Sequence, residues 1–147
     1  MAEFDIGFTA HDSKKEDLLR LVRTYREAMG KYSLVATRNT GRMIQHATGL
    51  TVAQMNSGLM GGYLQFGALV ANGDIKIIIS LQDPFIVHPE FNDIIALNRI
   101  CNIYNIQLAT NWSTAEAVLH HFFDKKNKHN SGHQIPEYAC DLIGIHS

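Results

Sequence analysis

From Phe4 to Phe123 the chain alternates short apolar runs with stretches whose apolar residues recur every three or four positions, a rhythm of strands followed by amphipathic helices. Phe4 to Ala10 reads as a strand entering a polar turn. Residues 13–29 follow as a helix: Leu18, Leu21, Val22, Tyr25, Ala28 and Met29 share one face, Ser13 to Glu16 has the form of a capping box, and Gly30 ends it. Leu34 to Ala36 is a second strand, followed by a turn over Thr37 to Thr40 and a helix from Gly41 to Ala47 that stops near Gly49. Thr51 to Met55 is the third strand. A Gly-rich loop from Ser57 to Gly62 then leads into a helix closed by Asn72-Gly73, where glycine suits a left-handed cap. Ile75 to Leu81 is almost continuously apolar and β-branched, as expected of a parallel strand covered on both faces. A helix over 92–104, a strand from Ile106 to Thr110, and a helix to Phe123 opened by a second capping box at Ser113 to Glu116 complete the pattern.

This alternation with short connections predicts an α/β fold: a three-layer sandwich around a central five-stranded, mostly parallel sheet, with right-handed crossovers bringing the β-to-α turns to one edge. Residues 1–147 read as a single domain, with a polar loop over 124–134 and a tail over 135–147. Composition narrows the function. Thirteen Lys+Arg against fourteen Asp+Glu give a net charge of −1, which lacks the concentrated basic surface that a nucleic-acid polymer demands. No apolar run is long enough to span a membrane and the N-terminus is unlike a secretory leader, so the expected place is the cytoplasm. Cys101 and Cys140 lack metal-knuckle or disulfide-framework spacing. His129 and His133 have no third ligand beside them, so no metal site is expected, and nothing requires a cofactor.

In an open parallel sheet ligands sit outside the carboxyl ends of the strands. The turns there carry His11, Asp12 and Lys15, then Thr37 to Gly41, then Ser57, Gly58 and Gly61-Gly62, then Asp83-Pro84, then Asn111. This set suits a phosphate. Lys14 and Lys15 also begin a helix, where the positive end of the macrodipole disfavours a cation unless an anion is drawn in. Trp112, on the last of these turns, reads as an interface or ligand residue.

The order of these motifs resembles the methylglyoxal synthase family and its wider domain group. The resemblance covers residues 5–119 and is carried by Ala10-His11-Asp12-x-x-Lys15, Ala36-Thr37-x-x-Thr40-Gly41, Ser57-Gly58-x-Met60-Gly61-Gly62, Asp83-Pro84 and Ala109-Thr110-Asn111, with an echo at Ile135-Pro136-Glu137-Tyr138. It implies an enzyme that removes a proton beside the carbonyl of dihydroxyacetone phosphate and expels phosphate from the enediolate, leaving methylglyoxal. It also implies that Lys15, Thr37, Thr40, Ser57 and Gly58 hold the phosphate, and that the chain forms a homo-oligomer, a hexamer by resemblance.

The chain departs from that pattern at the reacting end. The family's Gly-Gly-Asp-Gln-Gln, whose Asp is the base, reads Gly61-Gly62-Tyr63-Leu64-Gln65, and a phenol titrating near pH 10 is a poor base at neutral pH. The family's active-site His aligns with Glu90; His88, two positions earlier, reads as a loop histidine, with a register shift into that place as the alternative, and an expected tail Arg aligns with Cys140. Arg38-Asn39 adds a planar cation in the second turn. The leading expectation is therefore a binder, a sensor or sequestering protein for a small phosphorylated ligand. A nucleotide-like molecule would be held by His11, Arg38, Asn39, Tyr63 and Glu90 with its base stacked on Tyr63, and synthase activity would be small. The alternative is a divergent methylglyoxal synthase in which Asp12, Asp83 or Asp93 supplies the base. A purely structural subunit ranks third, since it gives an intact cradle no purpose.

Overall fold

The computed structural model describes residues 3–124. Five strands, β1 (Phe4–Ala10), β2 (Leu34–Thr37), β3 (Ala53–Met55), β4 (Ile75–Leu81) and β5 (Gln107–Ala109), form one sheet in the order β3-β2-β1-β4-β5. Every pairing is parallel. The six helices are α1 (Lys15–Thr24), α2 (Arg26–Met29), α3 (Arg38–Thr48), α4 (Gly62–Ala71), α5 (Phe91–Tyr104) and α6 (Trp112–Phe123). Single 3-10 turns occupy Asp12–Lys14 and Gly58–Met60. The expected α/β sandwich is therefore the observed one.

Two hydrophobic cores lie on opposite faces of the sheet. Ile77 and Ile79 of β4 join Ile6, Phe8, Leu21, Ile44 and Leu119 on one side. Ile78 joins Val35, Phe66, Val70, Leu97 and Cys101 on the other. This is why β4 reads as an unbroken apolar run. Gly7 of β1 lies under α4, where a Cβ would come within 2.4 Å of Phe66 Cε1, so the helix sits close on the strand. Burial pushes the Cys101 thiol up to about 12, making it an inert packing group.

Differences from the expected elements have local causes. The helix expected over 13–29 breaks at Tyr25 into α1 and α2. Neither capping box forms at its serine. Ser13 Oγ donates to Asp83 Oδ2 at 2.7 Å instead, and α6 is capped by Asn111 Oδ1, which accepts from the Thr114 N–H at 3.0 Å. The second strand extends through Thr37 and α3 starts at Arg38, three residues before the expected Gly41. Gly73 adopts the left-handed conformation expected of it, with φ of 75°. Trp112 packs against the first core with the Arg20 guanidinium 4.9 Å above its ring centre. Cys140, His129, His133 and the tail echo at Ile135 to Tyr138 lie outside the described residues.

Candidate active site

The strand order reverses direction between β1 and β4, and the neighbouring carboxyl ends frame a cavity of about 550 Å³. One wall comes from β1, β2, β3 and the turns after them, with Lys15, Thr37, Thr40, Ser57 and Gly58; the other follows β4, with Asp83, His88 and Glu90. The five residues expected to hold phosphate thus line one space. So do His11, Asp12, Asn39, Tyr63, Asp83 and Glu90. Arg38, at the exposed start of α3, and Asp93, in the first turn of α5, lie outside this lining.

The wall that carries Lys15 also gathers helix starts. Helical segments begin there at Lys15, Arg38 and Gly58, and none has a side-chain cap. Their first N–H groups lack the side-chain acceptor that Asn111 gives α6. Thr37 Oγ1 donates to Thr9 Oγ1 at 3.1 Å, and both threonines are buried. Lys15 Nζ is paired with the exposed Asp12 carboxylate, which Lys15 holds below the usual carboxylate range. The close turn into this wall requires glycine: a Cβ on Gly62 would meet Asn56 O at 2.3 Å and Thr37 Cγ2 at 2.8 Å.

Tyr63 is only 2% exposed, and its ring touches the space a Gly58 side chain would need. Burial pushes its phenol above the ordinary value, with Thr9 opposing that shift. A ring so enclosed leaves little open face for the base stacking expected at Tyr63.

Across the cavity, His11 is buried and its ring stacks on His88, with centroids 3.6 Å apart and planes inclined by 22°. His11 Nδ1 accepts from the Asp83 N–H at 2.7 Å, which assigns the proton of a neutral ring to Nε2. Burial first, then the neighbouring His88, lowers the His11 pKa and favours that neutral form. His88 Nδ1 lies 3.8 Å from Glu90 Oε1. Both Nε2 atoms are buried, and neither has a hydrogen-bond partner among the described residues. Asp83 is drawn down by the Ser13 hydroxyl and the Phe85 N–H, which stabilise its charged form.

His11, His88 and Glu90 offer donor atoms within 4.8 Å of one another, close enough for a metal ion by distance. The tautomer tells against it, because a proton on His11 Nε2 leaves only two ligands. His88, which reads from the sequence as a loop histidine with a register shift as the alternative, lines the cavity. Periodicity says nothing about a loop histidine, and only the fold lays it against His11.

A doubly covered parallel sheet with a cavity and paired imidazoles at its switch point defines a doubly wound α/β domain. The family model described as "MGS-like domain" matches residues 17–110. The chain is 47% identical over 114 residues to the methylglyoxal synthase of Carboxydothermus hydrogenoformans, covering 78% of this chain and 94% of that protein. It is 42% identical over 117 residues to that of Clostridium beijerinckii, covering 80% and 98%. The crystal structure of methylglyoxal synthase from Elizabethkingia anophelis superposes with a TM-score of 0.82 at 32% identity, over 97% of this chain and 92% of that one. The chain belongs to the methylglyoxal synthase-like family. Among the described residues no helix is long and apolar enough to cross a membrane.

Proposed function

We propose that this chain is a methylglyoxal synthase-type lyase that converts dihydroxyacetone phosphate to methylglyoxal and inorganic phosphate in the cytoplasm. The observation that carries the reading is one cavity that brings Lys15, Thr37, Thr40, Ser57 and Gly58 together with His11, His88 and Glu90. Near-full-length identity to proteins named methylglyoxal synthase supports it and moves it ahead of the binder favoured by the sequence. The binder reading keeps one specific support, Tyr63 where the family has its base. The enclosure of that ring weakens its nucleotide version.

Supplying dihydroxyacetone phosphate and following methylglyoxal tests the proposal. Turnover of about 1–10³ per second is expected. Tight binding of a phosphorylated compound with no product formed would return the chain to the binders.

A further inference from the structure

The loop between β4 and α5 forms part of the cavity wall, to which it contributes Asp83, Ile86, His88, Pro89 and Glu90. Its apolar side chains do little to hold it in place, since Phe85 and Val87 are more than nine-tenths exposed. Three contacts fasten it to the turn after β1. The Asp83 N–H donates to His11 Nδ1 at 2.7 Å, the Ser13 hydroxyl donates to Asp83 Oδ2 at 2.7 Å, and the His88 ring stacks on His11 at 3.6 Å. Two of these contacts fall on one buried imidazole, and His11 is itself fixed at the end of β1, where its N–H donates to Leu81 O at 3.0 Å. We propose that the bond from the Asp83 N–H to His11 Nδ1 is an acid-released latch, which holds the β4–α5 loop in place as a wall of the cavity and frees it when His11 takes up a proton.

The atom that makes the latch is also the atom that titrates. Because Nδ1 accepts from Asp83, the neutral His11 ring carries its own proton on Nε2, and the lone pair on Nδ1 is the one place left for a second proton. The Asp83 amide already occupies that lone pair. A protonated ring has two donors and no acceptor, so N–H would face N–H across the same short distance and the bond must break. Proton uptake and the closed loop therefore exclude each other.

The surroundings of His11 set the direction of the response. Burial disfavours the charged ring most; His88 in the stack and Lys15 of α1 also oppose it, while Glu90 and Asp83 of the loop favour it, and the net effect holds His11 below the ordinary histidine value. Asp12, exposed and paired with Lys15, adds negative charge on the side of the turn. A histidine depressed in the closed state and ordinary in the open one binds more protons when open, so acid favours opening. The window begins near the free-histidine value of about 6.5, and below it the open fraction rises by up to about tenfold per pH unit until the closed-state value is passed. Asp83 itself is held in its charged form by Ser13 and the Phe85 N–H, so its carboxylate stays tied to Ser13 while its amide is released.

Amide hydrogen exchange on the intact chain between about pH 8 and 5, corrected for the intrinsic pH dependence of exchange, tests the latch, and since it needs no substrate its outcome is separate from the lyase reading. Protection over residues 83–88 should fall by about three- to tenfold per pH unit below about pH 6.5, while Ile77 to Ile79 of β4 keep theirs. His11→Asn puts a non-titrating carbonyl oxygen near the place of Nδ1 and should make the loop's protection independent of pH. His88→Phe keeps a ring for the stack without a titrating group and should retain the fall; its disappearance there would move the switch to His88 and overturn the assignment to His11. In NMR spectra of the parent, the His11 ring and the Asp83 amide should titrate with one midpoint. Separate midpoints, loop protection that stays within about twofold across the range, or an undiminished fall in His11→Asn overturns the latch.

Discussion

Lys15 is the only lysine or arginine in the described lining of the cavity, where Asp12, Asp83 and Glu90 supply the opposing charge. An anion that enters must therefore settle toward Lys15 and the threonines rather than toward the β4 side. Lys15→Ala should weaken inorganic phosphate by about 1.5–3 kcal/mol, roughly ten- to 150-fold by calorimetry, because a charge-assisted hydrogen bond is lost and Asp12 is left unpaired beside the site. Unchanged affinity would mean that the cradle lies elsewhere. Lys15, the threonines and Ser57 were legible in the sequence because each follows a strand, where topology delivers side chains to one edge. His88 was not, since the contact that gives it meaning joins two distant turns.

Asp5, near the start of β1, ties that strand to both its neighbours. Its carboxylate lies 2.9 Å from Lys76 Nζ on β4 and accepts from the Ser33 N–H at 2.9 Å just before β2. Burial alone would raise its pKa, but Lys76 and Ser33 together bring it below the ordinary carboxylate value. A carboxyl depressed in the folded state contributes stability above the unfolded value near pH 4, and that contribution is lost as pH falls through the folded value. Urea unfolding of the parent should therefore weaken more steeply below about pH 5 than that of Asp5→Asn, with the two curves converging in stronger acid. Parallel curves across that range would mean that Asp5 stitches nothing. The same scale shows why strands were easier to read than helix ends. Apolar runs are fixed by two-sided burial, as at Ile77, Ile78 and Ile79, whereas a cap depends on competing partners. Ser13 found Asp83 across the fold, and Asn111 reached the Thr114 amide before Ser113 could act.

At the scale of the molecule, the side chains of the Gly58–Met60 turn, the loop after β4, α4 and α5 leave much apolar surface in water. Phe85 is 93% exposed and Val87 91%, with Met60, Leu59, Ile86, Phe91 and Leu64 more than half exposed. Leu59 and Ile86 also line the cavity, so whatever covers this surface borders the site. We propose a second copy of the chain as the cover, which agrees with the homo-oligomer expected from resemblance. Light scattering should give a mass above the 16.5 kDa of one chain, and Phe85→Ser with Val87→Ser should lower it. A single-chain mass for the parent at micromolar concentration would remove the proposal. The sheet itself leaves little choice about how copies meet. Its outer strands, β3 and β5, are three residues each, and a selvedge so brief gives another backbone almost nothing to copy. Among the described elements, a second copy would therefore have to meet the first through side chains, and the same shortness makes the folded sheet a poor seed for fibres.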